Sequence, residues 1–399
     1  MTVLDRFLKY VKFDTASDEL SHSCPSTSKQ LILGKALADE LTEIGLSDVS
    51  FDENGYVYGF LPASEDKKDE PSLGLIAHMD TSPDVSGADV KPSVITYEGG
   101  DIVLPFATIS VENFPFLPKY KGQQLVVTDG STLLGGDDKA GVAEIFTLCE
   151  YLSQNPQFSH RGIAVCITPD EEIGRGADRF PLSTFNAKEA YTVDGGELGE
   201  IEYENFNGAS AEITIHGINI HPGVAKNKMK NAVLLAAELI SMLPPAETPA
   251  HTEGYEGFYH VCDLNACENL ATIKMIIRDH DKVKFESRKA FIEKLCDYMN
   301  SRYGEGTFEA HIADSYYNMK EKILPSMHLI ENAKKAMLDA GVEPQVVAIR
   351  GGTDGARLSY DGLPCPNLST GGANFHSVHE FVPVASMEKM VEVLLNLVK

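Results

Sequence analysis

Apolar residues recur three and four apart in SKQLILGKALADELTEIG (28–45), which predicts a helix that stops at Gly45. VYGFLPA (57–63) and LGLIAHMD (73–80) instead hold continuous apolar stretches bounded by turn residues, the mark of buried strands. DDKAGVAEIFTLCEYLSQNP (137–156) returns to the helical stripe, opens on Asp in the capping region and ends at Pro156. GIAVCIT (162–168) and AYTVD (190–194) read as two more buried strands. Strands alternating with helices imply an α/β layer architecture.

The pattern changes near residue 207. SAEITIHG (210–217), TIKMIIRD (272–279) and TFEAHIAD (307–314) read as strands, the first and last with the polar alternation of half-exposed ones. Helical stretches fall at about 228–243 and at 281–302. A helix-covered antiparallel sheet explains this set, so 207–318 is expected to be an inserted second domain, leaving 1–206 and 319–399 as the first. A helix over 325–340, a loop-rich stretch and an amphipathic C-terminal helix, SMEKMVEVLLNLVK, follow.

With 399 residues, two domains are the default, and 43% hydrophobic residues are enough to pack both cores. Thirty-four basic against 59 acidic residues give a net charge of −25, which argues against nucleic acid or an anionic membrane as a partner. Residues 1–20 lack a continuous apolar region, so no secretory signal is expected, and no later run has the length of a membrane span. The seven cysteines (24, 149, 166, 262, 267, 296 and 365) show no CxxC spacing. A disulfide framework and a structural zinc knuckle are therefore not expected, and a cytoplasmic protein is.

Chemistry collects where apolar runs end. LIAHMDTSPD places His78 and Asp80 two apart, on one face of an extended segment. LLGGDDKAG adds Asp137 and Asp138, and ITPDEEIGRG adds Asp170, Glu171 and Glu172. TVDGG adds Asp194, and ANFHSVHEFV adds His376 and His379. Each has a plainer explanation alone: a surface pair, a helix cap, an acidic turn, a solvated loop histidine. Together they are acids and imidazoles at successive sheet exits, where open α/β sheets bind ligands. Converging carboxylates repel one another and need a cation or protons. Imidazoles with several carboxylates suit Zn²⁺ or a similar ion, and are numerous enough for two ions sharing a carboxylate. Spacing alone does not choose between Asp137 and Asp138.

These same motifs resemble those of the co-catalytic zinc exopeptidase family that includes aminoacylase and carboxypeptidase G. NGASAEITIHGINIHPGVAKNKMKNA, ETPAHTEGYEGFYH, IIRDHDKVKFESRK and IRGGTDGARLSYDGLPCPNLSTGG narrow the resemblance to its tripeptide aminopeptidases, over essentially the whole chain. The resemblance implies a mixed-sheet catalytic domain with helices on both faces, and an inserted α+β lid of antiparallel sheet and two helices. It implies two Zn²⁺ per chain, with Co²⁺ or Mn²⁺ as substitutes. His78 and Asp194 then resemble ligands of one ion, Glu172 and His379 ligands of the other, and Asp137 the bridge, joined to Asp138 by a cis peptide. Asp80 resembles the residue that orients His78, and Glu171 the general base that activates water. His376 matches no ligand. His221 resembles a residue that stabilises the tetrahedral intermediate, and Asn227, Arg278 and Arg350 resemble substrate contacts, with Lys226 beside them as a further cation. Unblocked tripeptides are the implied substrates, and a homodimer through the inserted domain is compatible with this reading. A deacylase or dipeptidase of the same metal chemistry, and a non-enzymatic peptide binder, stay open at this level.

Overall fold

The computed structural model describes residues 1–399. The chain divides into two compact units: Met1–Tyr203 with Glu321–Val347 and Thr353–Lys399, and Glu204–Lys320 with Ala348–Gly352.

The first unit is built on an eight-stranded mixed sheet, ordered Ser47–Phe51, Val57–Leu61, Ile163–Thr168, Leu73–His78, Ala190–Val193, Asn367–Leu368, Glu200–Asn205 and Gln345–Ile349. Leu73–His78 pairs in parallel with Ile163–Thr168 on one side and Ala190–Val193 on the other. All three are buried along their length, as strands covered on both faces must be, which is why they read as uninterrupted apolar runs. One face of the sheet presents Ile76, Ala164, Cys166 and Ala190 to Leu358 of the helix Asp354–Tyr360. Against strands 73–78 and 190–193 lies the helix Gly136–Gln154, which in turn packs on Val3–Tyr10 and Val384–Leu397. Gly141 of that helix approaches Val193 so closely that an added Cβ would lie 2.0 Å from its carbonyl oxygen, so no larger residue fits there.

A three-stranded sheet (Ser93–Thr96, Gln124–Val127, Phe381–Pro383) was not foreseen. Its strands have only four, four and three residues, too few for alternation to register. The expected helix 325–340 forms over His328–Asp339, and the C-terminal helix starts two residues earlier than its motif, at Val384.

The second unit is a four-stranded antiparallel sheet, ordered Phe258–Ala266, Leu270–Asp279, Asn207–His216 and Phe308–Tyr316. Ile213, Ile215, Ile273, Met275 and Ile277 point to one face and bury against Leu235, Leu239, Phe285, Ile292 and Met299 of two helices, Ala232–Ser241 and Lys282–Tyr303. Burying each such side chain contributes roughly 1.5–3 kcal/mol. Both helices start on side-chain caps: Asn231 accepts from the N–H groups of Val233 and Leu234, and Asp281 from that of Lys284. No helix of the chain is long and apolar enough to cross a membrane.

Candidate metal centre

Parallel register brings the chemistry together. His78 is the Cα partner of Thr168, and Ile76 is the partner of both Cys166 and Thr192. Three strands therefore end at one level and deliver His78, the Pro169–Glu172 turn and Asp194 to the same edge. The His78 ring is fixed from both sides. Its Nδ1 lies 3.2 Å from Asp80 Oδ1, and its Nε2 lies 3.0 Å from Asp137 Oδ1 and 3.4 Å from Asp194 Oδ1. Asp80, fully buried, also accepts the backbone N–H groups of Glu171 (3.0 Å) and Glu172 (3.2 Å), so one carboxylate orients the imidazole and anchors the acidic turn.

The two aspartates that spacing left equivalent differ in the fold. The peptide between them is cis. Asp138 is buried, and its carboxylate accepts the N–H of His78 (3.1 Å) and of Gly141 (3.3 Å). Asp137 turns its two oxygens toward two imidazoles, Oδ1 to His78 and Oδ2 to His376 at 3.4 Å.

The second imidazole in the cluster is not the one put forward above. His379 was the residue that the resemblance put forward, yet the ring in the cluster is that of His376, whose Nε2 is 2.8 Å from Glu172 Oε2. Its Nδ1 reaches Asp84 at 3.3 Å. The cause is the backbone. His376 has φ +59°, a left-handed conformation uncommon outside glycine, and this turns its side chain into the cluster. The His379 ring packs instead beside Phe114, with centroids 5.4 Å apart.

The electrostatics are those of a site short of positive charge. Burial, then Asp137, pushes the Glu172 and Asp194 carboxyls up to about 7. Burial and Asp194 raise Glu171 well above the ordinary range. Burial opposes charge on Asp137, but His376 and His78 outweigh it and hold that carboxyl low. Hydrogen bonds to Asp137 and Glu172 lift His376 to about 11. Glu172 Oε1 is buried without a hydrogen-bond partner. A bound cation would satisfy that oxygen and lower the acidic pKa values together. Two sets of donors converge, His78–Asp137–Glu172 and His78–Asp138–Asp194, the ligand atoms within each set lying within 4.8 Å of one another. Nitrogen and carboxylate donors of this kind fit zinc and its neighbours.

Two acids in the surrounding structure escaped the sequence reading. Asp354 caps nothing with its side chain; its backbone N–H donates to Glu171 Oε1 (3.2 Å) while its buried carboxylate accepts from Thr168 Oγ1 (3.0 Å). Glu380 accepts four backbone N–H groups, those of Leu134, Gly135, Gly136 and Asp137, at 2.6–3.2 Å. It moulds the loop that carries Asp137. Glu380→Ala would leave these donors without an acceptor and is expected to cost about 3 kcal/mol or more, read as a lower denaturant midpoint. An unchanged midpoint would show that water replaces the carboxylate without loss.

The remaining candidates lie in the second unit. His221 and Asn227 are exposed, as is Lys226. His221 Nδ1 accepts the N–H of Gly223 at 3.1 Å, and Asn227 has φ +58°. The Arg278 guanidinium lies 4.9 Å from the centroid of the Tyr316 ring and binds backbone only through Nη1, to Ala209 O and Ile277 O. Arg350 is otherwise occupied. Its Nη1 donates to the carbonyls of Gly254 and Glu256, its Nη2 to the carbonyl and Oγ1 of Thr252, and the group stacks on Phe206 and Phe258. These bonds tie it to the loop 252–256.

Residues 203–307 match the model of a peptidase dimerisation domain. Over its whole length the chain is 55% identical to peptidase T of Halothermothrix orenii, covering 98% of that protein, and 53% identical to peptidase T of Clostridium acetobutylicum, again covering 98%. The chain belongs to the peptidase T family. It is a metallopeptidase, a hydrolase with the mixed-sheet α/β fold and separate sheet domain of this group. Solved structures share the peptidase T fold at lower identity. Aminopeptidase PepT from Bacillus cereus superposes with a TM-score of 0.77 at 24% identity, covering 99% of this chain and 97% of that one. A tripeptidase from Staphylococcus aureus gives 0.79 at 21%, covering 100% and 97%. A dinuclear metal-binding peptidase of the M20 family from Bacillus subtilis gives 0.66 at 12%, covering 99% and 96%.

Proposed function

We propose that this peptidase T homologue is a cytoplasmic tripeptide aminopeptidase that holds two divalent ions, zinc by preference, and releases the N-terminal residue of unblocked tripeptides. The observation that carries the reading is Asp137 lying between two imidazoles, with one oxygen toward His78 and the other toward His376. In this assignment His78 and Asp194 would hold one ion and Glu172 and His376 the other, with Asp137 available to both. Such ions would supply a lowered pKa for water and polarisation of a carbonyl.

Glu171 is the base. Asp80 fixes its backbone and the Asp354 N–H holds Oε1, so the carboxylate is positioned before substrate arrives. An ionised carboxylate so held can accept a proton from water and pass it on. It takes a proton from the attacking water and returns it to the leaving amine. His221 is assigned to the developing oxyanion, and Arg278 with Asn227 and Lys226 to the substrate carboxylate. Arg350 is assigned to loop bracing. The dimerisation-domain match supports a homodimer.

A substrate panel tests this. Unblocked tripeptides are expected to be cleaved after their first residue, at least about tenfold faster than dipeptides, tetrapeptides or N-acyl amino acids. A chelator should abolish the activity and zinc restore it. Preference for N-acyl amino acids would replace the aminopeptidase by a deacylase, and full activity after metal removal would end the metal reading.

A further inference from the structure

An aminopeptidase must recognise an ammonium group, and none of the residues placed so far is an acid left to face it. The sheet offers one. Glu202 is the antiparallel partner of Asn367, and Asn367 is the parallel partner of Thr192. Partners in register point to the same face, so Thr192, Asn367 and Glu202 form a row across three neighbouring strands. The row ends beside the metal centre, because Asp194 follows the strand that carries Thr192.

Hydrogen bonds run the length of the row. Thr192 Oγ1 donates to Asn367 Oδ1 at 2.7 Å. The buried Asn367 amide then donates through Nδ2 to the backbone carbonyl of Asp194 at 2.8 Å and to Glu202 Oε2 at 2.6 Å. Both hydrogens of that amide are in use, so its orientation is fixed and Glu202 Oε2 is fixed with it. One amide nitrogen thus separates the Glu202 carboxylate from the main chain of a proposed metal ligand.

The carboxylate itself is incompletely matched. It is partly buried, no ion pair includes it, and Asn367 is its hydrogen-bond donor. The charges around it are acids. Burial pushes it up to about 8 against the Asn367 bond, with Glu200, Asp194 and Asp137 adding to the rise. Glu200 does not relieve this, since its own carboxylate faces the N–H of Glu197 at 2.9 Å. A half-buried acid among acids, held rigidly and lacking a cation, is a receptor for one.

We propose that Glu202 is the specificity-determining residue that receives the α-ammonium group of the substrate, with Asn367 holding it in place. The inference rests on the aminopeptidase reading and adds to it the group that distinguishes a free amine from a blocked one. The substrate ammonium then supplies the positive charge that the row lacks, and an N-acyl group would leave Glu202 buried without a partner.

The test compares tripeptides that begin with Ala with their propionyl analogues, which lack only the amino group. Glu202→Gln keeps an oxygen to accept from Asn367 and removes the charge. It is expected to lower kcat/KM for the free tripeptide on the order of 10²-fold, mainly through KM. The already slow cleavage of the propionyl analogue should change less than about twofold. Metal content by elemental analysis should equal that of the unmodified enzyme. Glu202→Asp keeps the charge and should retain part of the preference for the amine. Equal losses on both substrates in Glu202→Gln would make Glu202 a brace for Asn367 and overturn the proposal, as would no loss on either. If the unmodified enzyme cleaves the propionyl analogue as fast as the free tripeptide, the aminopeptidase reading fails first and this inference falls with it.

Discussion

Glu171→Gln is expected to lower kcat by a factor on the order of 10²–10⁴ while two ions remain bound. The substitution keeps the size of the side chain and an oxygen able to accept the Asp354 N–H, which Glu171 Oε1 now takes at 3.2 Å. The backbone contact from Glu171 N to Asp80 is untouched. What disappears is the basic oxygen, because an amide does not take up a proton at neutral pH. The effect should therefore fall on kcat, with KM for tripeptides near its original value, as for an interaction made in the transition state. Glu172→Gln provides the contrast. Its Oε2 contacts His376 and its Oε1 is the buried oxygen without a partner, so this variant should lose metal as well as turnover. Stopped assays with parallel elemental analysis separate the two. Metal loss in Glu171→Gln with retention in Glu172→Gln would mean that base and ligand have been exchanged.

How far the sequence disclosed this site depends on what kind of signal each residue leaves. The strands 73–78, 163–168 and 190–193 were legible because parallel strands covered on both faces are apolar throughout, and the acids at their ends stand out against that run. The helix Lys282–Tyr303 was legible from its stripe and from Asp281 ahead of it. Glu380 was not, since its partners are backbone N–H groups some 244 residues away in the chain and a backbone donor has no sequence signature. Asp354 escaped for the same reason. Arg350 shows the opposite difficulty. A cation in a family motif reads as a substrate clamp until the carbonyls of Thr252, Gly254 and Glu256 are found around it. Glu202 and Asn367 lie far apart in sequence, and only the strand register makes them neighbours.

The pair His376 and His379 is the sharpest case, and it yields the second large effect. The two imidazoles stand three residues apart in a loop, where neither the helical nor the strand period applies, so spacing carries no information about which one faces inward. The backbone decides. The left-handed turn at His376 aims its ring at Glu172 and Asp137, while His379 is held the other way. Its N–H donates to Ser377 Oγ at 3.1 Å, its carbonyl accepts from Asn374 Nδ2 at 3.1 Å, and its ring rests on Phe114. His376→Ala is accordingly expected to bring bound metal from two ions toward one and to lower kcat/KM on the order of 10²-fold or more, since it removes a proposed ligand and not merely a residue behind one. Added zinc should recover part of the loss if the remaining donors, Glu172 and Asp137, still bind weakly. His379→Ala removes an aromatic contact alone and should keep both ions, with kcat/KM within a fewfold of the original. Metal titration of the two variants side by side gives the answer. If His379→Ala sheds the second ion and His376→Ala retains it, the loop rearranges when metal binds, and the ligand is the one that the resemblance first suggested.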